Sequence, residues 1–95
     1  MRSEGIAVMP AYLAQINVML RPLVNDPQGL AVRDGLHALG FEHVASVRVG
    51  KRIEVTLDAA SHASAEQQAA QMCDRLLANA VIEDYAFTVS EVVGA

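Results

Sequence analysis

The sequence predicts an α+β fold of order βαββαβ: a two-layer, ferredoxin-like sandwich with an antiparallel four-stranded sheet and two helices on one face. Three observations lead there. Residues near both ends of the chain alternate with period two, two internal stretches carry apolar arcs of helical period between cap residues, and a glycine separates two short alternating segments at the centre.

The elements follow in order. From 12 to 20, Ile16, Val18 and Leu20 share one face and Gln15 and Asn17 the other, the pattern of a half-buried strand. Asn25 or Asp26 caps a first helix with Pro27 at its first position, where the fixed φ helps and the missing N–H costs nothing. Ala31, Val32, Gly35, Leu36, Ala38 and Leu39 form its apolar arc, opposed by Arg33, Asp34 and His37, and Gly40 ends it in a left-handed conformation. Next comes a hairpin. A two-residue Gly50-Lys51 turn would set Val47 against Glu54, whereas a three-residue loop pairs Val49 with Ile53, Val47 with Val55, Ala45 with Leu57 and Arg48 with Glu54, which keeps the apolar residues on one face. The three-residue loop is the expected register.

Ser64 with Gln67 reads as a capping box for a second helix that runs to about Ala78, with Ala65, Ala69, Met72, Cys73 and Leu76 inward and Asn79 as a left-handed cap. In the last strand Tyr85, Phe87 and Val89 point inward and Ala86, Thr88 and Ser90 outward. Such a sheet leaves one face open, lined by Gln15, Asn17, Ser46, Thr56, Thr88, Ser90 and Met19. That surface is nearly free of charge and suits either solvent or a wet contact with another subunit. Residues 1–10 read as a leader and 11–95 as a single domain.

Composition narrows the function. A 95-residue domain has a modest core, so a deeply sunken active site is not expected and stability gained by association is. The formal charge of -4, seven scattered basic residues and four aromatic residues exclude the basic stripe and stacking platform of a nucleic-acid binder. No apolar run reaches the roughly 20 residues of a membrane span. The single cysteine cannot form an internal disulfide and no secretory leader is evident, so the chain reads as cytoplasmic.

No catalytic constellation emerges. His37, His43 and His62 lie on different kinds of element without metal-ligand spacing, and Cys73 flanks an apolar arc as a small hydrophobe would. Gly50-Lys51-Arg52 lacks the glycine spacing and following helix of a phosphate loop, so a solvated hairpin tip suits it better. Asp58, Glu66, Asp74, Glu83 and Asp84 form no acid-base pair, and Leu30 stands alone on the polar arc of the first helix. Neither catalytic, cofactor-binding nor metal-binding residues are assigned.

Laid in order, Asp26-Pro27-Gln28-Gly29, the Leu39-Gly40-Phe41 turn, Arg48 to Ile53, and Leu76-Leu77-Ala78-Asn79 through Tyr85 resemble the PurS family, the small subunit of the multi-subunit phosphoribosylformylglycinamidine synthase of purine biosynthesis. The resemblance runs from about Tyr12 to Glu91. It implies a non-catalytic, homodimeric assembly subunit that bridges a synthetase, PurL, and a glutaminase, PurQ, and supports ammonia transfer between them. The complex converts formylglycinamide ribonucleotide to its amidine, and ATP, magnesium and glutamine are used by the partners rather than by this chain. The resemblance also implies interface roles for Arg48, Lys51, Asn79 and Glu83. Two departures stand out: Ala80 occupies a position where the family commonly has proline, and the leader is long. Since fold alone does not fix function, a small dimeric amino-acid-sensing regulatory domain is the alternative; it would bind a ligand by itself, whereas a bridge acts only in a mixture.

Overall fold

The computed structural model describes residues 9–92. The elements are β1 (Ala11–Leu20), α1 (Pro27–Ala38), β2 (Gly50–Asp58), α2 (His62–Met72), a π-helical turn (Cys73–Leu77) and β3 (Glu83–Glu91). Most of the predicted leader, residues 1–8, lies outside the described residues.

The sheet has three strands, not four, in the order β2-β1-β3 and antiparallel throughout. β1 is central because its whole inner face is apolar: Tyr12, Ala14, Ile16 and Val18 are all buried. Across it, Ile16 faces Ile53 on one side and Phe87 on the other, and Ala14 faces Val55 and Val89. The predicted hairpin is therefore corrected. Residues 44–49 form no strand, Val55 pairs with Ala14 rather than Val47, and Glu54 lies opposite Gln15 rather than Arg48.

Gly50 explains the difference. Gly40, at φ 101°, is the one positive-φ residue among those described, so Gly50 is not a left-handed residue of a hairpin loop. It opens β2 instead, pressed so closely on β1 that an added Cβ would lie 2.1 Å from Met19 Sδ and 2.4 Å from the Val18 carbonyl oxygen. The outer face also differs from expectation. Ser46 is not part of the sheet, while Arg52 and Glu54 stand beside Asn17 and Gln15 and pair with each other at 3.2 Å.

α2 packs across β1 and β3, burying Ala65 and Ala69, and the π-helical turn that follows buries Cys73. Its cap is Ser61, whose hydroxyl accepts the Ser64 N–H at 3.1 Å, three residues earlier than the predicted capping box. The predicted inward place of Leu76 is also wrong. The Ala78 N–H bonds five residues back to the Cys73 carbonyl, and this wider turn rotates Leu77 onto the core and leaves Leu76 83% exposed. Asn79 is not left-handed.

α1 departs most from expectation. Asp26 caps it, accepting the Gly29 N–H at 2.9 Å, and Gly40 terminates it as predicted. Yet α1 packs on neither the sheet nor α2, and Gly29 is its one buried residue. The arc read as its core face is exposed or only half-buried, with Val32 45% and Leu39 76% exposed. A radius of gyration of 18.6 Å, against about 12 Å for a compact chain of this length, expresses the same arrangement. Ile16, Val18 and Cys73 are the largest fully buried side chains, so the core of one copy is thin.

Candidate functional site

Arg48, Lys51, Asn79 and Glu83 are brought to one end of the sheet, where β1 leaves at Leu20 and β2 and β3 begin. Three of them are linked. Glu83 Oε1 accepts the Asn79 N–H at 2.7 Å, and Lys51 Nζ stands 4.0 Å from Glu83 Oε2. Asn79 Oδ1 accepts the Val81 N–H at 3.0 Å, and its carbonyl accepts from Ile82 and Glu83, so the 79–83 turn is closed on itself. Arg21 fastens this turn to the end of β1: its backbone N–H donates to Ile82 and its guanidinium to the Ala80 carbonyl at 2.6 Å.

Arg48 works on the other side of the same end. Its guanidinium donates to the carbonyls of Leu20, of Arg21 at 3.1 Å and of Pro22 at 3.4 Å, while Nε faces Asp26 Oδ2 at 3.6 Å, an ion pair too long for a hydrogen bond. Asp26 is buried and accepts the Val49 N–H at 3.0 Å through Oδ2. The Val49 N–H, then the Gly29 N–H, then the nearby Arg48 charge hold its carboxyl below the usual range, against the opposing effect of burial. Sequence reasoning treated Asp26 as a cap alone and missed this second role. The signal was Gly29: a glycine in the first turn of a helix marks a close approach, and an added Cβ there would lie 2.1 Å from the Val47 carbonyl oxygen.

α1 and residues 44–49 thus form one arm. Asp26 and Gly29 join them at the base, and His37 Nε2 lies 2.7 Å from the Val44 carbonyl near the tip. The arm exposes apolar surface at Leu30, Val32, Leu39 and Phe41. The body exposes a complementary region: beside α2, over β2, an apolar groove of about 380 Å³ is lined by Val55, Met72, Leu76 and Leu77 with Gln68 and Arg75 at its edge. Val55 and its strand neighbours Ile53 and Leu57 are only half-buried.

Among the described residues no group of three His, Cys, Asp or Glu side chains has metal-binding geometry, and no helix is long and apolar enough to cross a membrane. His62 is occupied by the Val89 carbonyl at 2.8 Å and the Tyr12 ring. Cys73 is fully buried; burial first, and the Asp74 carboxylate second, push its thiol pKa up, the reverse of what activates a nucleophile. The Tyr85 hydroxyl donates to Asp74 at 2.9 Å, which raises its own pKa.

Comparison with known proteins places this arrangement. The family model described as PurS: Phosphoribosylformylglycinamidine (FGAM) synthase matches residues 13–91. The phosphoribosylformylglycinamidine synthase subunit PurS of Synechocystis is 52% identical over 85 residues, covering 90% of this chain and 85% of that one. Thermus thermophilus PurS superposes with a TM-score of 0.78 at 40% identity, covering 87% of this chain and 99% of that one. A chain in the structure of PurLQS from Thermotoga maritima gives 0.76 at 31% identity, with 88% and 100% covered. With the match spanning both the sheet and the arm, the chain belongs to the PurS family.

Proposed function

We propose that the chain is a non-catalytic assembly subunit of phosphoribosylformylglycinamidine synthase, acting as a homodimer that bridges the synthetase PurL and the glutaminase PurQ in the cytoplasm. The observation that carries this is the unmatched pair of surfaces: an apolar helical face that no described residue covers, and an apolar groove where a ferredoxin-like sandwich would seat its first helix. Each chain carries both an arm and a groove, so two copies can fill one another's grooves. With α1 and residues 44–49 joined as one arm, a second copy lays its arm along the free edge of β2 and its α1 beside α2. Pairs such as Val47 with Val55 then form between copies about a twofold axis near Lys51.

Bridging suits the chemistry of ammonia transfer. Ammonia released to water is protonated and diluted, so donor and acceptor enzymes must be held in register. A rigid dimer supports that without titratable groups of its own, while ATP, magnesium and glutamine are handled by the partner subunits. Of the four interface candidates, Lys51 has the most freedom for a partner, its side chain being 55% exposed. Arg48, Asn79 and Glu83 are engaged within the chain and would shape the surface that partners meet. The PurLQS relative supports this reading over an amino-acid-sensing domain.

The test is sedimentation of the synthetase and glutaminase with and without this chain. Bridging requires a three-protein species that is lost on omitting it. A synthetase-glutaminase complex equally stable without it would refute the assembly role.

A further inference from the structure

The exchange of arms proposed above leaves a question that the geometry answers: why α1 does not cover its own sheet. A closed monomer and an exchanged dimer share nearly all contacts and differ at the hinges, here residues 21–26 and the approach to Gly50, so whatever holds the hinges decides between them.

Both hinges are pinned by one pair of side chains. To fold α1 back over its own β2, the outgoing leg must reverse just beyond Leu20. In the structure the carbonyls of Leu20, Arg21 and Pro22 are all gripped by the Arg48 guanidinium from the returning leg. Asp26 completes the joint by binding the Val49 N–H and facing Arg48. Reversal would strip the three carbonyls from Arg48, whose side chain is 31% exposed, and leave a half-buried cation short of acceptors. A planar guanidinium spans three successive carbonyls in a way a lysine ammonium does not.

We propose that the grip of Arg48, braced by Asp26, on the carbonyls of Leu20, Arg21 and Pro22 is a latch that holds α1 off its own sheet and thereby directs it to the groove of a second copy. The inference rests on the exchange reading and adds the residues that enforce it. Loosening the latch lets the arm close on its own chain, using the same groove.

Sedimentation equilibrium, with hydrogen exchange of the α1 amides, tests it on three proteins besides the wild type: Arg48→Ala, Arg48→Lys, and a chain with a short Gly-Ser insertion after the fully exposed Leu23. The wild type is expected to be a dimer. Arg48→Ala and the insertion should raise the dimer dissociation constant by about tenfold or more, with α1 still protected in the monomer, and Arg48→Lys should fall between. Variants that dimerise as tightly as the wild type would overturn the latch, as would monomers whose α1 amides exchange freely. A wild type that stays monomeric would instead reject the exchange itself.

Discussion

The Asp26 carboxylate accepts the backbone N–H of Val49, 23 residues away, at 3.0 Å, so the start of α1 and the entry to β2 form a single joint. Because this bond and the Gly29 N–H need the charged form, the folded pKa of Asp26 lies below the ordinary 3.8. The stabilisation is therefore complete above that ordinary value and is lost as pH falls through the lower, folded value. The protection of the α1 amides, taken relative to the intrinsic exchange rate at each pH, should fall on acidification in this range in the wild type. In Asp26→Ala, α1 should exchange faster already at neutral pH, with no comparable acid step. An unchanged acid profile in that variant would show that other carboxylates govern the arm.

Two glycines carry the arm by closeness. An added methyl at Gly29 meets the Val47 carbonyl oxygen and one at Gly50 meets the Val18 carbonyl oxygen, backbone contacts that cannot simply swing aside, and the one at Gly50 also meets the Met19 side chain. Gly29→Ala and Gly50→Ala should each cost about 1–3 kcal/mol in urea unfolding. Losses below about 0.5 kcal/mol in both would mean that the legs of the arm are free to separate.

Cys73 reports on α2. Since its sulfur is fully buried and its pKa is raised by burial, a thiol reagent should modify it slowly in the folded protein and at the rate of opening. Labelling as fast as that of a free thiol at the same pH would contradict the packing of the π-helical turn against β1.

Lys51 separates association from folding. Its 4.0 Å pair with Glu83 is exposed on the lysine side and contributes no more than about 1 kcal/mol. Lys51→Glu should therefore shift the thermal midpoint of the isolated subunit only slightly while weakening its binding to the synthetase and glutaminase. An equal loss of both would assign Lys51 to folding.

What the sequence revealed depended on how local each signal was. Asp26, Pro27 and Gly40 delimit α1 through contacts within a few residues, and the alternation of β1 and β3 follows from burial of one face; all were legible. Pairing was not, because residues 45–49 and 53–57 alternate equally well and the choice of β1 as partner for β2 hinges on the close approach at Gly50. The π-helical turn that rotates Leu76 outward has no signature in periodicity. The apolar arc of α1 was read as a face of the core and stands exposed or half-buried instead, because helical periodicity shows that a face is apolar and not what lies against it. Arg48 was assigned a cross-strand partner, Glu54, on the same ambiguous alternation, whereas its guanidinium faces Asp26.

The bridging role is tested most directly by reconstituting amidine formation from formylglycinamide ribonucleotide, ATP and magnesium with purified synthetase, glutaminase and this chain, supplying either glutamine or ammonia. Glutamine-dependent turnover should require all three proteins, while turnover from added ammonia should proceed on the synthetase without this chain. Full glutamine-dependent activity in its absence would refute the bridging role.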